Sequence, residues 1–215
     1  MNLHNPYLDD FNKIYLKTYF NSMEMVGNPD LDIDSLNVEI REEIRLMADK
    51  IGTGNCGFAF RRSLLYYYSF AVPDDRAIEI ISKYAPVVEI GAGSGYWSYM
   101  LSQNGIQVKA FDNQSWHEIW KKQWFDVQDG DEKVLRNYPE RSLLMCWPNY
   151  NEPFASNCLK NYKGKNVIYI GEGFDGCTGD DAFHKTLDNE WKIIDSHEIP
   201  TWDGIHDQLE VYERI

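Results

Sequence analysis

The sequence predicts an α/β fold: a mostly parallel, seven-stranded sheet between two layers of helices, with an antiparallel last strand and a helical N-terminal cap. Three observations predict it. From Val87 onward, short apolar runs alternate with helix-prone stretches, the pattern of strands buried on both faces and joined by crossover helices. A glycine-rich turn, Gly91-Ala92-Gly93-Ser94-Gly95, separates the first apolar run from the first helix that follows it. The last two runs, Trp191 to Ile194 and Leu209 to Tyr212, have no helix between them, only a short segment containing Pro200-Thr201-Trp202-Asp203-Gly204. Two strands joined this way pair antiparallel.

The elements read in order as follows. Leu36, Ile40, Ile44, Met47 and Ile51 recur at helical spacing with charged residues on the other faces, which predicts an amphipathic capping helix. Gly52-Thr53-Gly54-Asn55-Cys56-Gly57 breaks it, and an aromatic stretch from Arg61 to Phe70 follows. Asp74-Asp75 caps a helix from Arg76 to about Lys83. Val87 to Ile90 is the first strand and Ile106 to Asp112 the second. A helix is expected over Trp116 to Trp124, and a third strand over Trp124 to Val127. Leu143 to Trp147 is the fourth strand, Phe154 to Tyr162 a helix, Asn166 to Ile170 the fifth strand, and Asp180 to Leu187 a further helix. Residues 1–72 thus read as the cap segment and residues 73–215 as the α/β unit.

Composition narrows the function classes. At 215 residues with 43% hydrophobic content, the chain is long enough for one domain with a proper core. The formal net charge of −13 works against loose, counterion-driven binding to nucleic acid. No apolar run is long enough for a membrane span. Met1 to Pro6 lacks the basic and apolar regions of a secretory signal, so a cytoplasmic location is expected. The four cysteines form no C-x-x-C pair and read as reduced thiols, and no metal site is expected.

A strand, a glycine turn and a helix bring bare backbone to a nucleotide-like ligand. An acid, Asp112, ends the next strand about twenty residues on, where a ribose hydroxyl needs a carboxylate. A nicotinamide site wants a third glycine at the position of Tyr96 and is disfavoured; Glu89 before the first glycine is also unusual for it. The run Glu89-x-Gly91-x-Gly93-x-Gly95, with Asp112 and the element order, resembles the class I, Rossmann-like S-adenosylmethionine-dependent methyltransferases over roughly residues 70 to 215. The resemblance implies S-adenosyl-L-methionine as cofactor, its methionine part wrapped by Glu89 to Gly95 and its ribose held by Asp112. It also implies an adenine partner near the third strand: Asp126, Gln128, Asp129 and Asp131 all fit, with Asp126 carried forward. Tyr68, Cys146 and Trp147 are expected beside the cofactor.

Methyl transfer needs a nucleophile held in line with the methyl group, and often a base or hydrogen-bond acceptor. Three loops offer such groups. Cys146-Trp147-Pro148-Asn149-Tyr150 resembles the Asp/Asn-Pro-Pro-Tyr motif of amino-methylating enzymes, with Asn149 supplying an amide oxygen and Tyr150 a ring. Gly171 to Asp181 carries Glu172, an acid–base candidate, and Cys177, whose position before a helix suggests either a lowered pKa or an inert thiol. In the same loop Asp180 reads as a helix cap and His184 as a surface residue. Trp202 to Asp207 carries His206, a candidate base beside Asp207. The leading expectation is methylation of a nitrogen or oxygen on a small molecule or protein. The alternatives are amino-methylation of a nucleic-acid base through Trp147 to Tyr150, and a non-catalytic binding module. Oligomeric state is left open.

Overall fold

The computed structural model describes residues 4–18, 36, 38–51, 56–115, 117–202 and 204–215. Trp116, Asp203 and the break at residues 52–55 lie outside the described residues. Seven α-helices and seven strands occur among those described. The helices are α1 (Pro6–Thr18), α2 (Val38–Ile51), α3 (Cys56–Tyr67), α4 (Asp75–Ser82), α5 (Tyr96–Gln103), α6 (Phe154–Asn161) and α7 (Asp181–Glu190). The strands are β1 (Val87–Ile90), β2 (Val108–Asp112), β3 (Val127–Asp129), β4 (Ser142–Cys146), β5 (Asn166–Gly171), β6 (Trp191–Glu198) and β7 (Gln208–Arg214).

The strands form one sheet in the order β3-β2-β1-β4-β5-β7-β6. β1 runs parallel to β2 and β4, and β4 parallel to β5, while β7 is antiparallel to both β5 and β6. Only the seventh strand is reversed, and the sheet has the Rossmann-like methyltransferase arrangement. The central strands bury both faces. Val87, Leu144, Ile168 and Ile170 point into one apolar layer, together with α4, α5 and residues of α1 and α3. Val88, Ile90, Leu143, Met145, Val167 and Tyr169 point into the other, with α6 and α7. This period-two alternation within continuous apolar runs is what doubly covered strands require.

Local chemistry fixes several element ends. Asp74 caps α4 by accepting from the Ala77 N–H at 2.8 Å, and Asp180 caps α7 by accepting from the Phe183 N–H at 2.8 Å. Over the described part of the expected helix, Trp116 to Trp124, there is a single 3-10 turn, His117–Ile119, followed by a segment without regular structure. Its backbone donors are used elsewhere: Lys121 N–H donates to the Tyr66 carbonyl and Trp124 N–H to the Ser94 carbonyl. Tertiary bonds therefore replace the helical ladder. The third strand starts later than expected, at Val127, because Trp124 turns into an aromatic cluster with Tyr67, Tyr68, Tyr96 and Tyr99.

Tyr96, which disfavours a dinucleotide site, ties the first helix down. Its hydroxyl donates to Asn5 Oδ1 at 2.9 Å and accepts from the Tyr7 N–H at 3.1 Å. Asn5 in turn donates to the Pro73 carbonyl at 2.7 Å. No described helix is long and apolar enough to cross a membrane.

Candidate functional site

β1 ends at Ile90, and the chain turns through Gly91, Gly93 and Gly95 with φ of +69°, +54° and +75°. L side chains strain in this left-handed region, so the turn selects glycine at alternate positions. The missing Cβ atoms also make room, although not only for a ligand. A Cβ on Gly93 would collide with the indole of Trp120, and one on Gly91 would sit 3.1 Å from the Phe154 ring. The turn is thus flanked by two aromatic rings, one from the segment after β2 and one from the start of α6. Asp112, at the end of β2, braces it. Its Oδ2 accepts from the Gly93 N–H at 2.9 Å and its Oδ1 from the Gln114 N–H at 2.8 Å. A carboxylate has about four lone-pair sites, so capacity for a ligand hydroxyl remains.

Above this turn lies a cavity of about 220 Å³ at the carboxyl ends of β1, β2 and β4. This is where open α/β sheets bind ligands. Glu89, Gly91, Gly93 and Asp112 line it, with Cys146, Trp147 and Asn149 from the β4 side. Glu89 is buried and accepts from the Ser98 hydroxyl. Burial pushes its carboxyl up to about 7, against the hydrogen bonds from Ser98. Burial also drives the Cys146 thiol well above its ordinary range, which leaves it a neutral wall rather than a nucleophile. Trp97 lines the same wall, and its indole N–H is buried with no oxygen or nitrogen acceptor, only the weakly accepting Cys146 sulfur.

Trp147 is the best-fixed side chain of the β4 loop. Its backbone adopts φ +51°, a strained value for an aromatic residue. Its N–H donates to the Ile170 carbonyl at 2.8 Å, and its indole N–H donates to Asp207 Oδ1 at 2.8 Å. Phe70 stacks on the ring at 5.4 Å, and the Arg61 guanidinium lies over it at 5.8 Å. Asp207 is buried, and burial pushes its carboxyl up to about 6 against the Trp147 hydrogen bond.

Other expected residues stand elsewhere. Tyr68 is buried in the cap, where its hydroxyl donates to Asp10 at 2.7 Å and its ring stacks on Tyr7; it does not line the cavity. Phe70, two residues on, lines it instead. Gly95 packs under Phe125 and Val127 rather than facing the cavity. Asp126, Gln128 and Asp129 are exposed and outside the lining, and Asp131 caps a 3-10 helix by accepting from the Lys133 N–H. Tyr150 is 65% exposed and also outside it.

Glu172 and His206 are brought together, but away from the cavity. Glu172 Oε2 accepts from the Cys177 N–H at 2.8 Å, and its Oε1 accepts from the His206 N–H at 2.9 Å. Burial acts to raise the Glu172 carboxyl, yet these hydrogen bonds outweigh it and hold the group below its ordinary range. The His206 ring is exposed, 3.4 Å from Glu172. Cys177 is exposed, and partial burial of its thiol together with the neighbouring Glu172 pushes it up to about 11, the opposite of a lowered pKa. His184 is buried, not on the surface, because its Nε2 turns inward to the Thr178 carbonyl at 2.8 Å. No metal-binding cluster occurs among the described residues.

Several wall residues are absent from the sequence-based expectations, among them Trp97, Trp120, Glu152 and Phe154. Glu152 carried a usable signal. It lies three residues past Asn149, and Asn149 Nδ2 donates to its Oε2 at 3.0 Å. Trp120 and Phe154 carried none, since their positions follow from tertiary packing on the glycine turn.

No family model matches the chain, and no curated protein matches it significantly. Solved structures do. A TehB-like SAM-dependent methyltransferase from Corynebacterium glutamicum is 17% identical, with 65% of this chain and 87% of that chain covered at a TM-score of 0.43. An rRNA methylase from Streptococcus thermophilus is 13% identical, covering 65% and 95% at a TM-score of 0.43. A point mutant of MtNAS is 12% identical and covers 99% of both chains at a TM-score of 0.42.

Proposed function

We propose that the chain is an S-adenosylmethionine-dependent methyltransferase whose acceptor is a nitrogen or oxygen of a small molecule or protein. The observation that carries this reading is the shared cavity of Glu89, the left-handed glycine turn and Asp112 at the carboxyl ends of β1 and β2. The site fits the cofactor, since Asp112 retains acceptor capacity for ribose hydroxyls. Bound there, the cofactor supplies an electrophilic methyl group on a sulfonium. The chain's own task is then to hold an acceptor atom in line and to exclude water. Trp147, Pro148 and Asn149 wall the cavity on the β4 side, which suits them to that task.

Base methylation finds less support. Tyr150, the residue expected to stack on a base, stands outside the cavity, and the net charge of −13 opposes a polyanion. Calorimetric titration with S-adenosylhomocysteine tests the proposal. Binding is expected, weakened about tenfold by Asp112→Asn, which corresponds to about 1.4 kcal/mol. A folded protein that binds neither S-adenosylhomocysteine nor S-adenosylmethionine overturns it.

A further inference from the structure

The charges that line the cavity all have one sign. Glu89, Asp112 and Glu152 are its charged residues, and among the described residues no Lys, Arg or His shares the lining. Their circumstances differ. Glu89 is buried against Ser98, and Asp112 is engaged by two backbone N–H groups. Glu152 is exposed at the mouth, with the Asn149 side chain as its hydrogen-bond partner. The sheet order separates them further. β2 and β4 flank β1 on opposite sides, so Asp112 lies to one side of the glycine turn and the Asn149–Glu152 pair to the other.

The β4 side is otherwise apolar and aromatic. Trp147, Pro148, Phe154 and Phe70 line it. Arg61 packs over the Trp147 ring but lies outside the lining, and its charge faces the buried Asp207. Asn149 Nδ2 gives one of its two N–H groups to Glu152, which sets the amide beside the carboxylate with its oxygen as a second acceptor. A carboxylate and an amide oxygen are both acceptors. Set among aromatic rings, they match an N–H-rich cation with an aliphatic body, and the Glu152 charge repels an anion.

We propose that the β4 side of this cavity selects an acceptor that arrives as a protonated aliphatic amine, held by Glu152 and Asn149. This rests on the methyltransferase reading above and narrows its acceptor from any nitrogen or oxygen to an aliphatic amine, which is held as the ammonium and gives one proton to Glu152, and from there to solvent, before its nitrogen lone pair takes the methyl group from the sulfonium. Such a group comes from a free small molecule or from a lysine side chain, and the chemistry at Glu152 is the same for both.

The test is binding, read from the Trp147 indole N–H resonance of the full chain labelled with 15N and saturated with S-adenosylhomocysteine. n-Butylamine, protonated at pH 7, is compared with 1-butanol, its neutral counterpart of similar shape. The amine is expected to bind about fivefold more tightly, the upper end for an exposed ion pair. Glu152→Gln, at an exposed position, is expected to remove most of that preference without unfolding the chain. Equal binding of both probes overturns the proposal. So does a preference lost in Asp112→Asn and kept in Glu152→Gln, because the cation then sits on the other side of the turn. The tripeptide acetyl-Gly-Lys-Gly-amide is run beside its norleucine analogue. Tighter binding of the lysine peptide than of n-butylamine supports a protein acceptor, and the reverse supports a small molecule. S-adenosylhomocysteine is titrated separately in the same samples. Failure there removes the methyltransferase reading while the amine preference is still measured without it.

Discussion

The loops after β4 and β5 look alike in sequence and do different work. Each follows a continuous apolar strand, and each carries polar residues suited to catalysis. The loop from Trp147 to Glu152 walls the cavity, whereas the loop from Glu172 to Asp180 supports that wall from outside. Gly179 donates to the Pro148 carbonyl and accepts from the Asn151 N–H, both at 2.9 Å, so the second loop is hydrogen-bonded along the first. Glu172 spends its carboxylate on the Cys177 and His206 backbones. The difference is one of sheet position. β4 neighbours β1 and its glycine turn, while β5 lies one strand further out. Glycine and acid content thus marks a shaped loop, and strand order decides whether the shape faces a ligand.

Asp207 is the strut between the two regions, and its titration gives the largest expected effect. It accepts from the Trp147 indole and faces Glu172, Arg61 and His206. Burial raises its carboxyl from 3.8 to about 6 in the folded chain. The folded state therefore holds the proton more tightly than the unfolded state. Its stabilising contribution is complete below pH 3.8 and is lost as pH rises through about 6. At about 1.4 kcal/mol for each tenfold change in proton affinity, the loss amounts to about 3 kcal/mol. Urea unfolding of wild type and Asp207→Asn from pH 4 to 8 checks this. The variant is expected to lose that part of the pH slope, and identical slopes would separate Asp207 from the coupling between the loops.

A paired substitution sharpens the contrast at the next level. Thr178 Oγ1 accepts from the Glu172 N–H at 2.9 Å and bonds the Tyr169 hydroxyl inside the β5 loop. Thr178→Val leaves the buried Glu172 N–H without its acceptor, while the Tyr169 hydroxyl keeps the Glu172 carbonyl, at an expected cost of about 2 kcal/mol in unfolding free energy. S-adenosylhomocysteine affinity should stay within about twofold. Asn149→Ala should do the reverse: Asn149 is exposed, so stability stays within about 0.5 kcal/mol while turnover falls. Thermal unfolding, calorimetry and a turnover assay on both variants decide it. A Thr178→Val chain of full stability that no longer binds cofactor would merge the two loops into one site.

How much of this was legible depends on how local its cause is. β1, β4 and β5 were readable because doubly covered strands must be apolar throughout, and Asp74 and Asp180 because a cap is a contact within three residues. Glu89, Gly91, Gly93 and Asp112 were readable because a strand-turn-helix spacing places them. The segment from His117 to Trp124 was not, since the Lys121 and Trp124 N–H groups bond to the carbonyls of Tyr66 and Ser94, far back in the chain. Tyr68 and Phe70 differ by two positions and in sequence are two similar aromatics. Only the buried partner Asp10 on α1 shows that Tyr68 belongs to the cap.

Tyr150 gives the smallest expected effect and the finest division of the β4 loop. It follows Asn149 directly, yet its side chain is 65% exposed and lies outside the cavity. So exposed a ring contributes little to stability, within about 0.5 kcal/mol. If the acceptor is held by Asn149 and Glu152 alone, Tyr150→Ala leaves both S-adenosylhomocysteine affinity and n-butylamine affinity within about twofold. If instead the ring closes over a planar acceptor, the same variant loses affinity for adenine or cytosine nucleosides by about 1–3 kcal/mol, the worth of one base–aromatic stack. Titrating Tyr150→Ala with n-butylamine and with adenosine, each against wild type, places the boundary of the site. A loss confined to adenosine would extend the cavity's working wall outward past Asn149 and favour a base as acceptor, and no loss with either probe would end that wall at Asn149.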